Sequence, residues 1–170
     1  MHLSEGVEWA AHCATLLAAL PSGATLPATR LAEYHDLPGP YLAKSLQSLT
    51  RAGIVESTTG RIGGYRLGRP ATEISLLDIV QAIEGSETFF RCTEIRRRGP
   101  SRVAARAYAP TCGIAGAMWR AEQAWRDELR AVTVAQLAEL TMQQAPLAAL
   151  EKGVTWVTSV LSTRRPPTTS

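Results

Sequence analysis

The chain has 170 residues, of which 45% are apolar and 19% are charged, and its formal net charge is +3. This composition fits one globular domain with an appended element and excludes a wholly disordered chain. No apolar run is long enough to span a membrane, and the first residues lack the basic and apolar regions of a secretory signal, so we expect a cytoplasmic protein with no membrane partner. Three cysteines are too few for a disulfide scaffold, which favours reduced thiols, metal ligation or redox chemistry.

Residues 1–85 show the element order of a winged helix-turn-helix domain. Apolar residues at three- and four-residue steps predict three helices, and two short strands around a glycine-rich turn predict a β-hairpin. A fourth helix follows, with Ser75 as its N-cap. In chain order, the predicted helices cover residues 4–20, 26–35, 41–52 and 75–83, and the strands cover 54–57 and 65–67. The predicted fold class is therefore mainly α.

A basic loop and a long helix are predicted after this domain. The loop is irregular and rich in arginine, and from near Cys112 an apolar stripe continues over about five helical turns. A second copy of the chain could cover this stripe, and so could the next helix together with the fourth; we expect both, and hence a symmetric dimer. The predicted segments are the DNA-binding domain (1–85), the loop (86–112), the dimerisation helix with C-terminal helices including a short one around Trp156 (113–162), and a disordered tail (163–170).

The third helix is predicted to be the recognition helix, because this fold places the start of that helix in the major groove of DNA. Residues 37–69 contain five basic residues and one glutamate, whereas residues 1–36 are mainly acidic. Donors predicted to face phosphates and bases are Tyr41, Lys44, Ser45, Gln47, Ser48 and Arg51. Arg61 lies at the tip of the wing, among glycines that permit a close approach. These features predict binding to double-stranded DNA; a helical domain with merely solvated basic residues is the alternative.

Three segments identify a family resemblance. Residues 41–55, 60–70 and 74–85 resemble the winged-helix regulators that include IscR, NsrR and CymR. The resemblance covers about residues 1–140. It implies a homodimeric transcription factor that binds an inverted-repeat operator, and in many members a sensory iron–sulfur cluster near the start of the long helix.

The cysteines depart from the pattern of three closely spaced thiols in cluster-binding members. Only Cys92 and Cys112 lie in or next to the loop, and two thiolates cannot complete the usual four ligands. Glu8 and His12 are spaced i, i+4 on the first helix, and nitrogen or oxygen ligands can replace sulfur at one iron. From the residues alone, this pair could equally be a polar helix face, and the cysteines could be inert or form a reversible disulfide.

A narrower resemblance bears on this choice. Residues 6–13, 92–100 and 112–115 are similar to RsrR-type redox-sensing regulators of actinobacteria. That similarity implies a [2Fe–2S] cluster held by two Cys, one His and one Glu, with this assignment: Cys92, Cys112, Glu8 and His12, the last two from the opposite subunit. It also implies that Trp9 acts as a redox switch, for which a plain core tryptophan is the alternative. Cys13 is predicted to pack in the core.

Two other classes of function compete with a redox-sensing regulator. The first is a cluster-free regulator of the same fold that responds to thiol oxidation or to a small molecule. The second is a passive partner-binding domain. An enzyme is not expected, because the sequence contains no nucleophile elbow, P-loop or dinucleotide fingerprint. The arginines at 96–98 fit either contact with DNA or stabilisation of an anionic cluster.

Overall fold

The computed structural model describes residues 2–60, 63–100, 102–108 and 111–164 and is mainly helical, as predicted. The helices are α1 (Glu5–Ala18), α2 (Ala28–His35), α3 (Gly39–Arg51), α4 (Leu76–Glu84), α5 (Gly113–Ala131), α6 (Val134–Gln144) and α7 (Leu147–Arg164). The strands are β1 (Val55–Thr58) and β2 (Gly64–Leu67), and short 3₁₀ turns lie at Ala71–Glu73, Ile95–Arg97 and Ala105–Tyr108. None of the helices described combines the length and apolarity needed to cross a membrane.

Helix α1 lies at the centre of the DNA-binding unit and packs against α3, α4 and α6. The inward face of α3 is formed by Leu42, Leu46 and Leu49, which have no exposed surface. This confirms the apolar face predicted for the third helix. Cys13 on α1 is also fully buried, and burial raises the pKa of its thiol to about 12, so it serves as core packing.

The wing is an antiparallel pair in which Val55 lies opposite Leu67. A backbone bridge adds a third segment, because the N–H of Leu26 donates to the Tyr65 carbonyl at 3.0 Å and the Tyr65 N–H donates back at 2.7 Å. A Cβ on Gly64 would lie 2.6 Å from the Leu26 carbonyl carbon, so this approach requires glycine. Leu26 was predicted to be helical; it pairs with the wing instead, and α2 begins two residues later.

The capping box predicted for α4 is present. The Asp78 N–H donates to Ser75 Oγ at 3.1 Å, and the Ser75 N–H donates to Asp78 Oδ2 at 2.9 Å. Arg69, just after the wing, donates to the same carboxylate at 3.0 Å. Burial acts to raise the pKa of Asp78, but the bonds from Ser75 and Arg69 outweigh it and lower the pKa. The carboxylate therefore ties the wing to the start of α4.

The C-terminal helices differ from expectation in length. Helix α7 has 18 residues instead of being a short helix around Trp156, because Trp156, Val157 and Val160 pack against the core of the DNA-binding unit. It continues to Arg164, two residues into the segment predicted to be a disordered tail, and residues 165–170 lie outside the described part of the chain.

Candidate functional site

The outward face of α3 forms a candidate DNA-binding surface. Tyr41 is 62% exposed, and Lys44, Gln47 and Arg51 are exposed beside it. The Lys44 ammonium lies 5.7 Å from the centroid of the Tyr41 ring, so these two side chains share one patch near the start of the helix. The opposite face holds the buried leucines, which fixes the orientation of the donors toward solvent.

The prediction that Ser45 faces outward is wrong. Its side chain is only 8% exposed, and its Oγ lies 3.4 Å from the position of a Cβ built on Gly6 of α1. The serine is small enough to sit where α3 crosses α1, which explains why a polar residue occupies the inner face. Ser48 is half-buried, and its Oγ accepts a bond from Arg51 at 3.2 Å, so its hydroxyl supports the arginine.

The described arginine of the wing strands is paired with an acid. Arg66 on β2 pairs with Glu56 on β1, and both side chains remain about half exposed. This pair neutralises part of the charge of the hairpin stem. Arg61, predicted at the wing tip, lies outside the described residues.

Both loop cysteines interact electrostatically with the same arginine. The charge of Arg96 interacts with the sulfurs of both Cys92 and Cys112. Cys112 is the N-cap residue of α5, and the backbone N–H groups of Ala115 and Ile114, followed by Arg96, lower the pKa of its thiol. A helix N-terminus and a cation thus favour the thiolate form, which is the form that ligates metals.

Arg96 is itself held in place by the loop. It donates to Glu94 at 2.8 Å, and its guanidinium lies 5.2 Å from the Tyr108 ring centroid. The hydrogen bond with Glu94 is the main cause that raises the pKa of Arg96, and the same pairing lowers the pKa of Glu94. Glu94 has φ 50°, a left-handed conformation that is unusual outside glycine.

Glu8 and His12 share the exposed side of α1, as their spacing predicts. The His12 ring lies 5.6 Å from the His35 ring on α2. Burial, and then His12, lower the pKa of His35. Among the residues described, no three His, Cys, Asp or Glu side chains come together as a metal site. One chain therefore does not assemble the predicted set of four ligands.

Trp9 is half-buried and packs against the core cluster of the DNA-binding unit. It precedes Ala10, which is fully buried, and follows Glu8, which is exposed. The indole therefore sits at the boundary between core and surface.

An ion pair that the sequence analysis missed anchors the start of the loop to α5. Glu122 is 8% exposed and accepts from Arg126 at 2.8 Å and from the Phe89 N–H at 3.0 Å. Arg126 also donates to the Glu87 carbonyl at 3.0 Å. In the sequence, the only sign of this ion pair is the i, i+4 spacing of a glutamate and an arginine. Because such pairs are usually exposed to solvent, the spacing does not indicate a buried anchor.

The N-terminal part of the apolar stripe of α5, formed by Ile114, Ala117, Met118 and Ala121, remains uncovered. Ile114 is 68% exposed and Met118 is 46% exposed, and Ala121 on the same stripe is also exposed. The residues of α5 buried within the chain are Ala115 and Glu122, which lie on a neighbouring face of the helix. Trp125, Leu129 and Val132 at the C-terminal end of the stripe are half-buried, and Trp125 packs edge-on against Phe89 with ring centroids 4.9 Å apart, so packing within the chain covers that half of the stripe.

Comparisons with known proteins agree with this architecture. The family model "Rrf2: Iron-dependent Transcriptional regulator" matches residues 3–140. Protein aau3 of Rhizobium meliloti is 38% identical over 114 residues, which cover 67% of this chain and 70% of that protein. Two solved structures have the same fold at 22% identity. CymR, the global cysteine regulator of B. subtilis, has a TM-score of 0.66 and covers 83% of this chain and 98% of its own. IscR of T. potens has a TM-score of 0.62, with coverage of 89% and 96%.

Proposed function

Because the chain belongs to the Rrf2 family of DNA-binding transcriptional regulators, which are not enzymes, we propose that it is a homodimer that senses redox state and reads an inverted-repeat operator. The proposed cofactor is a [2Fe–2S] cluster bound by Cys92 and Cys112 of one chain and by Glu8 and His12 of the partner subunit. This assignment follows the RsrR-type resemblance of the loop and the first helix. Because the proposed target is an operator on the chromosome, we expect the protein to be in the cytoplasm.

The exposed donors of α3 support the DNA-binding part of the proposal. Lys44 and Arg51 suit phosphate oxygens or guanine acceptors, and Gln47 suits an adenine edge. Tyr41, at the start of the helix, lies where a recognition helix contacts bases. Two such surfaces related by a twofold axis match an inverted repeat.

The observation that most strongly supports a cluster is the pair of loop thiols. Cys112 has a lowered pKa, and Arg96 interacts electrostatically with both Cys112 and Cys92. These donors fit the thiolate half of a [2Fe–2S] site. The carboxylate and imidazole of α1 fit the other half by chemistry, because nitrogen and oxygen donors can bind the second iron. When bound, such a cluster supplies one-electron redox chemistry.

The need for a second chain follows from two observations. The described residues of one chain form no group of three metal-binding side chains, and the N-terminal part of the α5 stripe is exposed. In the proposed dimer, two α5 helices pair and cover Ile114 and Met118, and we propose that α1 of one subunit then lies beside the loop of the other. In this proposal, formation of the dimer therefore also completes the set of four ligands.

Trp9 is proposed as the link between the cluster and α3. It adjoins Glu8, and it packs against the core to which α3 also belongs. Cys92 and Cys112, with Glu8 and His12 of the partner subunit, would hold the cluster, and a change of its charge by one electron would alter the electrostatic potential at Trp9 and could favour a second position of the indole. A shift of Trp9 would alter how α1 supports α3.

The test is iron and sulfide content together with the visible spectrum after anaerobic purification. We expect two irons and two sulfides per chain. Each of four variants should lose or change the spectrum: Glu8→Ala, His12→Ala, Cys92→Ala and Cys112→Ala. Cys13→Ala is the matched control, because Cys13 is buried in the core and should leave the spectrum unchanged. A colourless protein after anaerobic reconstitution contradicts the cluster, and unchanged spectra for Glu8→Ala and His12→Ala contradict the ligand set.

A second experiment addresses Trp9. The Trp9→Ala variant should keep the spectrum but bind DNA equally in both oxidation states, as measured by fluorescence anisotropy. Retained redox dependence in this variant would exclude the switch.

A cluster-free thiol sensor is the second candidate function, and two observations favour it: the pKa of Cys112 is lowered, and Arg96 interacts with both Cys112 and Cys92. In that case, a peroxide would take two electrons from the two thiols, which lose their protons and form a disulfide while the peroxide is reduced. This candidate predicts a colourless protein whose DNA binding responds to peroxide, a response that Cys92→Ala and Cys112→Ala both abolish.

A further inference from the structure

A cavity of about 370 Å³ lies between α1, α2, α6 and α7. None of the described residues of the loop or of α3 lines it, whereas His12, a proposed ligand of the cluster, does. Leu16, Met142 and Val157 are among the apolar side chains that line it. No carboxylate, ammonium or guanidinium of the described residues lines it. Its volume falls within the usual range for small-molecule sites, about 300–1,000 Å³.

Helices α2 and α7 meet closely at one side of the cavity. Tyr34 packs edge-on against Trp156, with ring centroids 5.1 Å apart. A Cβ on Gly153 would lie 2.7 Å from the Tyr34 hydroxyl oxygen, so the glycine leaves room for the phenol. The cavity thus borders the first helix of the helix-turn-helix.

Most polar side chains of the wall come from α1 and α2, and Thr141 of α6 and Thr158 of α7 complete them. The hydroxyls of Thr15 and Thr141 donate to carbonyls of their own helices at 2.9 and 2.8 Å. The His35 ring, which lines the cavity, forms a hydrogen bond to the backbone of His12, while its Nε2 is buried without a partner. In a neutral imidazole that donates through the other nitrogen, Nε2 is an acceptor.

We propose that this cavity binds a neutral, largely apolar molecule that carries one hydrogen-bond donor, with the donor directed to His35 Nε2. The described lining residues include no Asp, Glu, Lys or Arg, which favours a neutral ligand over an ion. A buried acceptor without a partner is costly, and a bound hydroxyl would supply the missing bond. Phenols and aromatic alcohols have this combination of an apolar body and a single donor.

The test uses the full chain and titration calorimetry with two probes. 2-Naphthol carries a hydroxyl donor, whereas 2-methoxynaphthalene has the same rings and no donor. We expect one 2-naphthol site per chain and about tenfold weaker binding of the ether. In His35→Phe, which keeps a ring but removes the acceptor, the two probes should bind about equally.

Variants that fill the cavity locate the site. Ala138 and Ala149 line the cavity, whereas Ala148 does not, although it neighbours Ala149 on α7. Ala138→Phe and Ala149→Phe should each weaken 2-naphthol binding more than tenfold, and Ala148→Phe should leave it unchanged. Circular dichroism checks that each variant is folded.

Three outcomes would overturn the proposal: no saturable binding of 2-naphthol, equal binding of the ether by the unaltered chain, or undiminished binding in both folded filling variants. None of these outcomes bears on iron content or on the α3 surface, so the cluster and DNA proposals stand or fall separately.

Discussion

The DNA-binding unit (residues 2–84) buries its apolar side chains within one chain, whereas the region of residues 86–131 leaves many of its own exposed. Leu31, Leu42 and Leu46 in the first region have no exposed surface. In the second region, Ile114 and Met118 face solvent, and the loop has little buried apolar surface.

The difference indicates which part of the molecule can respond to a signal. A region with a complete core has one favoured packing, while a region that lacks a core in one chain depends on what binds to it. The thiols of the loop and the stripe of α5 both belong to the second region. The predictions below separate the two regions, beginning with the largest expected effect.

Leu46→Ala should destabilise the DNA-binding unit by about 3 kcal/mol, because it opens a cavity beneath α3. Urea denaturation followed by circular dichroism measures the change. Gln47→Ala, the next residue along but exposed, should shift the free energy of unfolding by less than about 0.5 kcal/mol. Similar losses in the two variants would mean that α3 is oriented differently.

Met118→Glu should weaken the proposed dimer about a hundredfold or more, because dimer formation would bury a charge in the stripe of α5. Sedimentation velocity over a range of dilutions measures the change. Gln123→Glu introduces the same charge on the opposite face of α5 and should leave the dimer intact. An unaltered dimer in Met118→Glu would show that the exposed stripe is not the interface.

Lys44→Ala should weaken binding to a DNA duplex about three- to tenfold and lower the slope of log K against log salt by about 1, if the ammonium contacts one phosphate. The chain has a single other lysine, Lys152, which is exposed on α7. Lys152→Ala removes an identical charge far from α3 in the sequence. Equal effects of the two substitutions would indicate binding through net charge alone.

The DNA-binding unit was predictable because its local signals agree. The leucine spacing of α3, the Ser75 cap and the glycine-rich wing all point to one arrangement, and the structure confirms the element order to within two or three residues at the boundaries. Ser45 was misassigned because helical spacing alone cannot show where a neighbouring helix crosses.

The remaining region was less predictable because its determinants are non-local. The buried bond from Phe89 to Glu122 joins residues 33 apart, and helix α7 is held by contacts with the distant core. The candidate ligands are a still harder case. Glu8 and Cys112 are far apart in the sequence, and spacing within one chain contains no information about a second copy. Resemblance to a family supplied that assignment.

The smallest expected effect is on the reactivity of Cys112, and Arg96→Gln tests it. Removing the guanidinium should raise the pKa of Cys112, because one of the groups that lower it is gone while the N–H groups of α5 remain. With metal removed, alkylation of Cys112 by iodoacetamide at pH 7 should slow a few-fold, since less of the thiol is ionised. Peptide mass spectrometry follows the reaction, and Arg97→Gln is the matched control. The rates should converge at a pH above the pKa in both proteins, where the thiol is fully ionised. If the rates still differ at that high pH, Arg96 controls how easily the reagent reaches the sulfur and does not act through the ionisation of the thiol.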